Sequence, residues 1–110
     1  MRQYIINELN SDDIKSIENF LNNHAKKGGL AGIFWVEFPV ALLDVAQEGH
    51  HDCGPFVFAI ELGDDFVSFE FLVRSKANLH CSCTAYATKD QRDYVLAFID
   101  KMIQQEGLVA

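Results

Sequence analysis

The stretch Phe56–Val73, FVFAIELGDDFVSFEFLV, decides the fold. Phe56, Phe58, Ile60 and Leu62 point one way and Val57, Ala59 and Glu61 the other, the period of two that marks a strand. Beyond Gly63–Asp64 the alternation resumes, with Val67, Phe69, Phe71 and Val73 on one face and Phe66, Ser68, Glu70 and Leu72 on the other. A two-residue turn with glycine first, as a type II′ turn prefers, pairs Leu62 with Asp65. That register sets Ile60 opposite Val67, Phe58 opposite Phe69 and Phe56 opposite Phe71, so the apolar faces coincide. A slip of one residue would separate them.

Reading outward towards the N-terminus, Gly32–Phe38 (GIFWVEF) is rich in β-branched and aromatic residues and reads as a buried strand. Before it, Ser11 or Asn10 caps a helix to about Lys27, whose Ile14, Ile17, Leu21 and Ala25 share a face with Phe20 at its edge. Gly28–Gly29 stops that helix, and lone His24 in its last turn reads as a packing residue. Gln3–Leu9 reads as a short first strand. Pro39–Gln47 fits either a short helix after proline or a strand through Ala41, Leu43 and Val45; the strand is the expectation taken here.

Towards the C-terminus, a turn at Arg74–Asn78 leads into a strand Leu79–Ala87 with Leu79, Cys81, Cys83, Ala85 and Ala87 inward. Thr88 with Gln91 then forms a capping-box pattern, opening a helix with Tyr94, Val95, Phe98, Ile99, Met102 and Ile103 along one stripe. The order β-α-β-(β)-β-β-β-α predicts an α+β fold: an antiparallel β-meander of about four to six strands with two helices on one face. All of residues 1–110 form a single domain on this reading.

Composition narrows the function. The chain is 49% hydrophobic and 23% charged, with 16 acids against 9 bases and a net charge of −7. Ala31–Val73 holds eight of the acids and no lysine or arginine. Phosphate recognition needs those bases, so no nucleic acid and no anionic membrane is expected as a partner. The longest apolar run, Leu30–Val36, is too short to span a bilayer, and Met1–Ser11 lacks the apolar core of a secretory signal. Three cysteines suit a reducing compartment, and the expected location is cytoplasmic.

The metal-ligand types gather at His50, His51, Asp52 and Cys53, in a loop between glycines. Zinc, or another divalent transition metal, binds imidazole, carboxylate and thiolate. Four successive residues do not reach one ion easily. A second group follows at His80-Cys81-Ser82-Cys83, so Cys53, Cys81, Cys83 and one histidine would complete a Cys₃His set. On a strand, though, Cys81 and Cys83 read as core thiols, leaving Cys53 as the exposed one. Cys53 with His50 or His51 as base could also serve as a nucleophile, but no oxyanion-hole pattern accompanies it. GxSxG, GxxxxGK and GxGxxG are absent.

The other candidate is the outer sheet face. The meander register sets Glu70 opposite Ser82, Ser68 opposite Thr84, Phe66 opposite Tyr86 and Leu72 opposite His80. Phe66, Glu70, Leu72, His80, Ser82, Thr84 and Tyr86 then make a mixed patch suited to a protein partner. The expected function is a small acidic interaction or binding module without catalytic activity, regulatory, carrier-like or inhibitor-like. It would pair with itself as a homodimer or with a protein partner, one of basic character included. The alternative is a metal-binding protein or metal-dependent enzyme centred on the His50–Cys53 loop.

Overall fold

A computed structural model describes residues 2–44, 47–49, 51–78 and 81–109. Its elements are β1 (Gln3–Ile6), α1 (Ser11–His24), β2 (Lys26–Lys27), β3 (Ile33–Glu37), β4 (Phe56–Leu62), β5 (Val67–Glu70), β6 (Leu72–Ser75), β7 (Ala85–Tyr86) and α2 (Lys89–Glu106). All strand pairings are antiparallel, and the two helices make the fold α+β. The main path across the sheet runs β1-β5-β4-β3-β2, with β6 joining β4 to β7. The first strand therefore closes the sheet beside β5, and the arrangement is not a pure meander.

Both helices lie against one face because only that face is continuously apolar. Phe34, Val36, Phe56, Phe58, Ile60, Val67, Phe69 and Val73 from the sheet share one buried cluster with Ile17, Phe20 and Leu21 of α1 and Val95, Ile99 and Met102 of α2. Phe98 bridges the layers, with its ring 5.5 Å from Phe20 and 5.7 Å from Phe58, edge-on in both cases.

Helix α1 starts with Asn10 as its cap: the Asn10 side chain accepts from the Asp13 amide at 2.8 Å, and Asp13 accepts from the Asn10 amide at 3.2 Å. It ends at His24, earlier than the sequence suggests, because Lys26 and Lys27 leave the helix to pair with Trp35 and Phe34 of β3. The exposed His24 ring rests on Phe20 at 4.2 Å. Helix α2 is capped as expected, by Thr88 with Gln91, and ends at Gly107 in the left-handed region at φ 63°.

Four expectations are corrected. The hairpin pairs Ile60 with Phe69 and Leu62 with Val67, two residues away from the predicted register. Gly63 to Phe66 form a four-residue turn, closed by the Gly63 amide donating to the Phe66 carbonyl at 2.8 Å. An even slip preserves the faces, so Phe58 and Phe69 still share the core side, both fully buried. The second arm is also broken. Ile60 faces Phe69 but Val57 faces Arg74, so two residues of β4 span four of the partner, from Glu70 to Val73. That bulge frees Phe71, whose amide donates to Arg2 and whose carbonyl accepts from Ala87, letting β5 bind β1 and β6 bind β7.

Pro39–Gln47 is not a strand in its described part. Pro39 has no N–H to offer a ladder, and its carbonyl instead accepts from Leu42 to close a 3₁₀ turn over Val40–Leu42. Val45, which that expectation used, lies outside the described residues, as does Leu79. Within its described part, residues 81–87, the predicted strand Leu79–Ala87 is reduced to Ala85–Tyr86, preceded by a turn in which the Thr84 amide donates to the Cys81 carbonyl.

Candidate metal centre

Strand pairing explains why distant cysteines meet. Phe56, the first residue of β4, lies opposite Ser75, the last of β6. The segment entering β4 and the segment leaving β6 therefore meet at one end of the sheet. The first carries Cys53 in a single 3₁₀ turn, His51–Cys53, and the second carries Cys81 and Cys83 in its turn. The three sulfurs lie within 4.8 Å of one another. The Cys53 thiol donates to the Cys81 sulfur at 3.2 Å, and the Cys83 amide donates to the same sulfur at 3.4 Å.

The surrounding contacts hold these loops in place. The fully buried Ser75 hydroxyl donates to the Cys53 carbonyl and accepts from the Asn78 amide at 2.9 Å. One side chain thus ties the Cys53 segment to the turn that leads to Cys81. The Lys76 amide donates to the Pro55 carbonyl at 3.0 Å, and the Cys81 amide to the Asn78 carbonyl at 3.1 Å. Behind Cys83, its carbonyl accepts from the Gln47 side chain at 3.0 Å. Gln47 in turn accepts from Gln91 of α2 at 3.1 Å.

The environment disfavours bare thiolates. Burial pushes the Cys83 thiol up to about 12, with its sulfur neighbours adding to the effect. Its hydrogen bond to Cys81, followed by burial, holds the Cys53 thiol above the ordinary cysteine range. A cation held by the three sulfurs would reverse that balance, since a coordinated thiol is deprotonated outright. Zinc–thiolate bonds of about 2.3 Å in a tetrahedron put sulfurs about 3.8 Å apart. The observed sulfurs need shifts of only about one ångström or less to reach that spacing.

Of the predicted metal ligands, Cys53 is in the cluster and Asp52 is exposed beside it. The side chains of His50, His51 and His80 lie outside the described part of the structure. Cys81 and Cys83 are not paired along a strand face: Cys81 is half-buried and Cys83 fully buried within a turn.

The predicted outer patch is not assembled as drawn. Leu72 faces Tyr86, while Glu70 faces Gln3 and Ser68 faces Ile5. Phe66 sits in the hairpin turn, and Ser82 and Thr84 belong to the cysteine turn. Glu70 is paired with Arg74 at 2.9 Å, both side chains largely buried. Among the described residues, no helix is long and apolar enough to cross a membrane.

Sequence reasoning missed Ser75, Gln47 and Gln91 as braces of the centre. Gln91 carried a signal only as a helix cap, and the other two carried none. Comparison with protein-family models, curated proteins and solved structures finds no match to this chain.

Proposed function

We propose that this chain is a small metal-binding module. Zinc, or another soft divalent transition metal, is held by Cys53, Cys81 and Cys83, and the fourth ligand is an imidazole from His50, His51 or His80, which flank those cysteines in sequence. The observation that carries this reading is the convergence of three sulfurs, from residues as far as 30 apart in sequence, within 4.8 Å. Three thiolates and an imidazole leave zinc no open position, which suits a structural rather than a catalytic centre. The cation would staple the segment before β4 to the segment after β6, and the module would act by binding, not by catalysis.

The test is elemental analysis of protein purified without a histidine tag, followed by cobalt substitution. The expected result is one zinc per chain and, with cobalt, a thiolate charge-transfer band that weakens in Cys53→Ser. Protein that takes up neither metal in titration removes the centre from consideration.

A second reading places partner binding on the helix-free sheet face. Ile5 and Tyr86 are 49% and 42% exposed there, a large apolar presence for an unpaired surface. The ion pair of Glu70 with Arg74 removes the repulsion that two opposed carboxylates would bring to a homodimer. Sedimentation of wild type and Tyr86→Glu tests it: a self-association indifferent to the substitution, or a monomer at every accessible concentration, leaves this face without that role.

A further inference from the structure

We propose that Cys53 and Cys81 form an oxidisable pair, which a peroxide-class oxidant closes into a disulfide and which thereby releases the bound cation. The release step rests on the metal reading above; the bond-forming step does not. Their sulfurs, 3.2 Å apart, sit between two covalent geometries. A disulfide needs about 2.05 Å, and zinc coordination spaces sulfurs at about 3.8 Å. Both residues are carried by short turns outside the sheet ladder, so closing or opening the pair moves loops rather than strands. Both are half-buried, whereas Cys83 is fully buried and shielded from a dissolved oxidant.

Cys81 sulfur, which accepts from the Cys53 thiol and the Cys83 amide, takes the first step. It attacks one oxygen of hydrogen peroxide; the S–O bond forms, the O–O bond breaks and hydroxide leaves. Cys53 sulfur then attacks the Cys81 sulfenic acid, the S–S bond forms, the S–O bond breaks and the second oxygen departs as water or hydroxide. The two sulfurs give up two electrons and peroxide accepts them. From two thiols the products are the disulfide and two waters. From two zinc-bound thiolates they are the disulfide, two hydroxides and a cation that has lost two of its three sulfur ligands.

The test uses the full chain, zinc-loaded and zinc-free, treated with hydrogen peroxide and digested with trypsin. Cys53 falls in the peptide Gly28–Arg74, and Cys81 with Cys83 in Ala77–Lys89. The expected product has lost two hydrogen atoms, links these peptides through Cys81 by tandem mass spectrometry, and reverts with dithiothreitol. From the loaded form, zinc appears in a chromogenic chelator in step with the disulfide, and reduction restores binding. Sulfinic acid on separate cysteines, or a link mainly through Cys83, overturns the pair. A disulfide formed while zinc stays bound overturns the release. A chain that never takes up zinc but forms the Cys53–Cys81 link sinks the metal reading and the release with it, while the oxidisable pair stands. Cys83→Ala, which keeps the pair, should still form the link; should that variant fail to fold, the peptide mapping of the wild type decides alone.

Discussion

Gln47 and Gln91, 44 residues apart, are joined side chain to side chain at 3.1 Å in the protein interior. Gln91 also donates to the Leu42 carbonyl at 2.9 Å, and the Gln47 carboxamide oxygen also accepts from the Asp44 amide at 2.9 Å. With the Gln47 donation to Cys83, these bonds tie the 3₁₀ turn, the start of α2 and the cysteine turn into one network. Every polar atom in such a network is costly to strand, because water cannot replace the missing partner.

Gln91→Leu therefore leaves the Leu42 carbonyl and one lone pair of Gln47 without their donor. We expect a loss of roughly 1–3 kcal/mol in urea unfolding. Gln47→Leu should cost a similar amount, and the double variant less than the sum, since both single variants break the same bond. Additive losses would show that the two glutamines stabilise the fold separately.

Thr84 carries the opposite expectation. Among the described residues, its hydroxyl oxygen is buried without a hydrogen-bond partner. Thr84→Val keeps the shape and removes the desolvated hydroxyl, so stability should be unchanged or rise by up to about 1 kcal/mol. A loss of that size instead would mean that the hydroxyl is paired.

The layers and the faces were legible because each strand and helix carries its own periodicity. Phe58 and Phe69 fall on the core side under either hairpin register, so the alternation reads correctly even where the pairing does not. The register itself was not legible: Gly63–Asp64 suits a two-residue turn, but Phe66 is drawn into the loop and lengthens it to four. Phe71 looks like any other inward residue in sequence, and only the competing demands of Arg2 and Ala87 for its backbone reveal the bulge. At the site, Cys81 and Cys83 alternate as a strand face would, which hides their turn. Their approach to Cys53 depends on Phe56 pairing with Ser75, a contact that the predicted register had excluded.

Gly32 marks where β3 must pass close to β4. Its φ is +81°, its carbonyl accepts from the Leu62 amide at 2.7 Å, and an added Cβ would lie 2.7 Å from the Leu62 carbonyl oxygen. Gly32→Ala should cost at least about 1–3 kcal/mol, from the left-handed backbone and the contact with a main-chain atom that cannot rotate away. Gly29 has nothing within 4 Å of its added Cβ, so Gly29→Ala serves as the control and should change stability little. Equal effects in thermal unfolding would show that the turn relaxes around Gly32.

If the cysteine cluster holds zinc as proposed, Ser75 would join the stability of the sheet end to the affinity of the centre. Its hydroxyl holds the Cys53 carbonyl on one side and the Asn78 amide on the other. Ser75→Ala keeps all three cysteines but frees the two loops to drift apart. Partners that orient ligands typically account for about 10–100-fold in metal affinity, so zinc binding measured by chelator competition should weaken within that range. The cobalt charge-transfer band should persist at saturation, because the ligand set is intact. Metal-free stability is measured alongside to separate positioning from general loosening. If Ser75→Ala lowers that stability by as much as Gly32→Ala does but leaves zinc affinity at the wild-type value, Ser75 braces the fold alone. If affinity falls while Gly32→Ala of equal instability keeps it, Ser75 positions the cysteines.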